Sequence, residues 1–319
     1  MGYRGALLAL VFASALTGSV RATETVSDPA LTPDKVGAPA ASTAAAPVAA
    51  RDEFAVDFAA LLDKEKLVCF AEKTFENESG GHGKNIMQWN RGEGFLSLGL
   101  GHFLWAPSDR AARRFGESFK QFVVYYQQQP EPKPPLPASC LPGLHCPFAN
   151  KAEFERERDS AMGVRAREIR DFLEQTRLYQ ARFMRDRLVK ATDLILSHLK
   201  PEVSDRVRKA IFYLSNDDAS LFAMMDYVNF KGEGIGNGKI SPVSGWGLSQ
   251  VLQCLVSKAG AKITADTMTP LAFADAADET LKKRKDVNKT THLGWTRRIR
   301  DTYLNAPKCE PPLRDPNDD

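Results

Sequence analysis

The sequence predicts an α+β protein, mostly helical, with its strands confined to one small region. Three observations support this. Apolar residues recur at helical spacing over most of the stretch from Asp52 to Pro307. Alternation replaces that spacing only around Phe95–Leu104. The same segment, from Lys84 to Trp105, is rich in glycine and aromatic residues. Many helices with one segregated strand region define the class.

The ends of the chain are set apart by composition. Residues 1–22, MGYRGALLALVFASALTGSVRA, have the form of a secretory signal peptide. Arg4 supplies the charge, Ala6–Leu16 the apolar run, and Val20 and Ala22 the −3 and −1 positions of a cleavage site. A retained N-terminal anchor is the alternative, although the run is short for a membrane span. Residues 23–51 are rich in Ala, Pro, Thr and Ser and read as a linker that cannot pack a core. Residues 52–307 form the predicted domain and 308–319 a flexible tail. No later run is long enough for a stable membrane span, so the expected location is periplasmic or secreted.

Within the domain, helices are expected at Phe54–Leu62, Leu67–Phe75 and Ala111–Tyr126. The proline-rich run QQQPEPKPPLPASCLPG then forces a loop. From Lys151 helices dominate. The clearest runs Thr176–Leu199, with Ala181, Met184, Leu188, Ala191, Ile195 and Leu199 on one stripe. Pro201 opens the next, Glu202–Leu214. Asp217-Asp218 cap another reaching Phe230, and three more cover Gly245–Val256, Thr269–Lys283 and Gly294–Leu304.

Charge narrows the function. The net charge is +3, and removal of residues 1–22 leaves 41 basic against 40 acidic residues. That balance predicts no nucleic acid partner. Five cysteines remain, and in an exported chain Cys140 and Cys146 of CLPGLHC predict a small loop disulfide, with two free thiols as the alternative. Cys69, among apolar helical neighbours, reads as a buried thiol. No second metal-type pair accompanies His145, so no metal and no other cofactor is expected.

The chemistry concentrates in FENESGG and WNRGEGFLSLGLGHFLW. Glu78 ends an apolar helix, where burial beside aromatic residues raises a carboxyl pKa and suits a general acid. Glu93 sits at the turn into the strand, as the second carboxylate that glycoside hydrolysis uses. On a continuous strand Phe95, Ser97, Gly99, Gly101 and Phe103 share one face, placing a hydroxyl beside bare backbone. His102, on the opposite apolar face, reads as a structural histidine bonded to a buried carboxylate. Glu76, two residues from Glu78, points elsewhere and reads as solvated surface. His82 reads as an exposed turn residue, Glu233 as a loop glutamate, and Trp246 and Trp295 as core.

SLGLGHF resembles the TIGIGHL run of phage-type lysozymes, and the order of helix, Glu, acidic turn, hydroxyl-bearing strand and Gly-x-Gly-His is similar too. The resemblance is close over about 30 residues; elsewhere it is one of architecture. It implies a lysozyme-like fold, with a small β-hairpin or sheet region and a helical lobe flanking a cleft. It also implies cleavage of the β-1,4 link between amino sugars of peptidoglycan, as a muramidase. Glu78 then stands for the general acid and Ser97 for the family's threonine. The family's aspartate is replaced by Glu93 at a shorter spacing from Gly-x-Gly-His. Phe103 and Gly101 in the motif, and Phe230 in YVNFKGEG, stand for substrate-binding positions. The pattern is also similar to a group of bacterial lysozyme-like proteins whose activity does not transfer by likeness. Glu78-Ser79 and GWGLSQ echo lytic transglycosylase motifs, at a spacing too long for that family. Lytic transglycosylation, needing only the acid, and non-catalytic glycan or partner binding are the alternatives.

Overall fold

The computed structural model describes residues 53–80, 83–115, 117–236, 239–240, 245–284 and 289–309. The expected signal peptide and linker, and the reading of His82, lie outside these residues.

Among the described residues are twelve α-helices, a three-stranded antiparallel sheet and a two-stranded ladder. The α+β, mostly helical class is therefore observed. A short helix α1 (Phe58–Leu61) precedes α2 (Lys64–Ser79). Asp63 caps α2 through Lys66 N at 2.8 Å. Gly80, left-handed with φ 73°, terminates it, so Glu78 is the penultimate helical residue. The sheet follows, in the order β1 (Met87–Gln88), β2 (Leu96–Leu98) and β3 (Phe103–Trp105). Ser97 pairs with Gln88 on one side and Leu104 on the other.

Of the strand or hairpin expected over Phe95–Leu104, the hairpin forms, so the face that a continuous strand would share does not exist. The chain turns at 99–102, with Gly99 at φ 70° and His102 at φ 50°. Gln180 explains the turn: its Oε1 accepts from Leu100 N at 2.8 Å, and a Cβ on Gly99 would lie 2.1 Å from that oxygen. Only glycine fits there.

The expected helix over 111–126 is two, α3 (Asp109–Phe115) and α4 (Ser118–Gln127). The proline-rich loop leads to α5 (Lys151–Arg158) and α6 (Val164–Gln175). The four helices that follow were legible from periodicity and caps. They are α7 (Arg177–His198), α8 (Pro201–Ser215), α9 (Asp218–Lys231), capped by Asp217 through Ser220 N, and, after a loop, α10 (Leu248–Ala259). Between the last two, β4 (Ile235–Gly236) pairs with β5 (Lys239–Ile240), a ladder the sequence did not predict. The chain closes with α11 (Pro270–Lys282) and α12 (Lys289–Thr302).

One apolar cluster runs from α1 to α12 and takes in the sheet. Helix α9 is buried on every side, which is why its apolar residues show no preferred face. No described helix is long and apolar enough to cross a membrane.

The cysteines pair differently from the expectation. Cys69 of α2 bonds Cys309, closing a loop of 240 residues in sequence separation, so the expected tail is tied to the domain at 309. Cys140 and Cys146 are free and buried. They pack as small apolar groups, and burial pushes both thiols up to about 12.

Candidate active site

Glu78, at the end of α2, meets two elements distant in sequence. Arg298 of α12 donates from Nη1 to Glu78 Oε1 at 2.7 Å, and from Nη2 to both oxygens of Asp226 at 2.9 and 3.0 Å. Tyr303 donates to Asp226 Oδ2 at 2.7 Å. All four groups are buried: the side chains of Arg298 and Glu78 are 4% and 7% exposed, and Asp226 is fully enclosed. The arginine thus neutralises two carboxylates with geometry good enough to offset much of the desolvation.

This pairing corrects the expected protonation of Glu78. Burial pushes its pKa up, as expected, but Arg298 more than reverses that, aided by His102 and Lys231, and the carboxyl ends below its ordinary value. The raised acid is Glu93. Burial drives it up to about 7; the Asn90 side chain and N–H moderate this, and the Glu78 charge adds to it. Neither Glu93 oxygen makes a well-formed hydrogen bond. The residue is fixed through its backbone, with Trp89 Nε1 donating to its carbonyl at 2.8 Å.

The hairpin brings His102 into the field of Glu78 and Arg298. Burial lowers its pKa; the Glu78 charge acts against this and Arg298 with it. Its Nε2 is enclosed without a partner, so the expected bond from that nitrogen to a buried carboxylate is not made. Ser97 follows Glu93 by four residues, and its buried Oγ also lacks a partner; no hydrogen bond joins it to either carboxylate. Glu76 is exposed and pairs with Lys73 at 2.8 Å.

The expected substrate-binding positions are used internally. Phe103 is fully buried, stacked on Phe122 at 5.3 Å and edge-on to Phe183, so it presents no surface to a ligand. Gly101 is small because the Phe103 ring fills its side, 2.2 Å from where a Cβ would stand. Its carbonyl is taken by Asn229 Nδ2 at 3.0 Å. Phe230 is 4% exposed and holds two cations, Arg298 at 3.9 Å and Lys231 at 3.8 Å from its ring centre. Trp246 and Trp295 are buried, and Lys231 lies 3.7 Å from the Trp295 centre. Burial, with Arg298 and Arg284, weakens the hold of Lys231 on its proton, against the pull of Glu78.

Asp226, Arg298 and Tyr303 were not anticipated from the sequence. Asp226 carried a signal: a lone acid in MMDYV, inside a helix with no polar face, needs a buried partner. Arg298, one of three arginines in WTRRIR, carried none.

Among the described residues no group of three or more His, Cys, Asp or Glu side chains could hold a metal ion. A surface concavity of about 500 Å³, lined by residues between Glu153 and Arg165, shares no residue with this constellation. Comparison with family models, curated proteins and solved structures finds no match.

Proposed function

We propose that the chain is an exported, lysozyme-like glycoside hydrolase that cleaves the β-1,4 link between amino sugars of peptidoglycan. One observation carries the reading. Two carboxyl groups, on α2 and at the entry to the hairpin, the second within the field of the first, have proton affinities driven in opposite directions. Such a divergence is how an acid and a base coexist at one pH. The resemblance of Ser97–Phe103 to phage-type lysozymes supports the substrate class, and the Cys69–Cys309 bond supports export to an oxidising compartment.

The roles differ from those the resemblance implies. Glu93 keeps its proton up to about pH 7 and donates it to the leaving glycosidic oxygen. Glu78, kept ionised by Arg298, accepts a proton from the attacking water, and the unpartnered Ser97 hydroxyl helps hold that water. Asp226 and Tyr303 act through Arg298 as positioning residues.

The test is turnover of purified sacculi by wild type, Glu93→Gln and Glu78→Gln, with the products weighed. Wild type releases reducing ends, with a rate falling as pH rises through about 7. Each variant loses a factor of about 10²–10⁴. Anhydro ends point instead to lytic transglycosylation. The burial of both carboxylates and of Ser97 favours a second reading, a non-catalytic glycan binder; wild type that binds sacculi without cleaving them establishes it.

A further inference from the structure

The three-stranded sheet has two unlike faces. One carries the row Met87, Leu98 and Phe103, all buried and apolar, which belongs to the core. The other carries the row Gln88, Ser97 and Leu104. Residues paired across an antiparallel ladder point to the same side, with Cβ atoms about 4.5–5.5 Å apart, so Gln88 and Ser97 are side-chain neighbours. Ser97 is 1% exposed and Gln88 is half-buried. Ser97 Oγ and Gln88 Oε1 are both enclosed, and neither has a partner among the described residues. A bond from the Ser97 hydroxyl to Gln88 Oε1 would end both deficits, yet the two are not bonded. Leu104, the third member of the row, has no polar side chain to offer, and its N–H is taken by Ser118 Oγ at 2.9 Å.

We propose that Gln88 and Ser97 together hold one hydroxyl oxygen, and that in the glycosidase reading, on which this assignment rests, it is the oxygen of the attacking water. The chemistry of the pair selects an O–H group. Gln88 Oε1 only accepts, whereas the Ser97 hydroxyl also donates. An O–H group donates to the first and accepts from the second through the same atom. A carboxylate would set acceptor against acceptor at Gln88, and an ammonium would leave the Ser97 proton without an acceptor. Gln88 is followed by Trp89, whose Nε1 holds the Glu93 carbonyl at 2.8 Å, so the pair is tied through β1 to the carboxyl read as the acid. One hydroxyl fixes the distance of a water; a second anchor across the ladder fixes its direction too. A hydroxyl of the sugar has the same chemistry, and kinetics separate the two sources.

The test is steady-state turnover of sacculi by wild type, Gln88→Met, Ser97→Ala and the double variant. Methionine keeps the length of the side chain and removes the acceptor. If the oxygen is that of the water, Gln88→Met lowers kcat about tenfold, with KM unchanged and Tm not lowered. If it belongs to the sugar, KM rises about tenfold and kcat is kept. In both cases the double variant is at most about threefold worse than the worse single one, because each residue needs the other to hold the shared atom. Losses that multiply to about a hundredfold, or a Gln88→Met protein as active as wild type, overturn the shared site. If wild type does not cleave sacculi, the glycosidase reading fails, and the site is tested by crystal structures of the protein, free and soaked with the trimer of N-acetylglucosamine. One oxygen within about 3.2 Å of both Gln88 Oε1 and Ser97 Oγ keeps the site. Two side chains bonded to each other, or to separate partners, sink it.

Discussion

The two sides of the candidate site differ in how fully their polar atoms are satisfied. On the helical side, Glu78, Asp226, Arg298 and Tyr303 form a nearly closed set of short hydrogen bonds. On the hairpin side, Ser97 Oγ and His102 Nε2 are enclosed with no partner among the described residues, and the Glu93 oxygens make no well-formed hydrogen bond, only weak contact with Asn90. Buried polar atoms normally find partners, because leaving one unpaired costs about 1–3 kcal/mol. The saturated side is built for rigidity. The unsaturated side holds a standing deficit that a ligand or a held water can relieve.

Breaking the saturated side has the largest effect. Arg298→Met strands two carboxylates in the core and costs about 3–5 kcal/mol, read from the urea midpoint at pH 7. A loss below about 1 kcal/mol refutes the view that this network is structural.

The hairpin side responds with the opposite sign. Glu93 has a folded pKa of about 7 against an ordinary 4.5, so the folded chain keeps a proton that the unfolded chain releases in that window. Wild-type stability therefore falls as pH rises from 4.5 to 7 on this account. Glu93→Gln removes that slope and is more stable than wild type at pH 7 by up to about 3 kcal/mol. Parallel stability curves for the two proteins across that window contradict the assignment.

The smallest effect sharpens the contrast. Ser97→Ala deletes an unsatisfied hydroxyl, so stability is unchanged or rises by up to about 1 kcal/mol, while sacculus turnover drops about tenfold. Calorimetry and the turnover assay separate the two. A destabilised variant means that Ser97 has a structural partner.

Much of the fold was legible because helical periodicity and caps are local. The Thr176–Leu199 stripe became α7, Pro201 opened α8 and Asp217 capped α9. At 95–104 strand and hairpin both stayed open because glycine permits both a pleat and a turn; Gln180, about eighty residues on, made it a turn. The CLPGLHC pair misled for a similar reason, since nearness in sequence says nothing of which sulfurs the fold brings together.

The sequence alone determined the helical class and most element positions, and it gathered the candidate site residues between Glu78 and His102. Only the tertiary structure decided which carboxyl holds the proton. A pKa is set by the charges and solvent around a group, and those around Glu78 come from α12, some 220 residues away along the chain. The same distance separated satisfied from unsatisfied groups. A hydrogen bond needs its donor and acceptor about 3 Å apart, and only folding measures that.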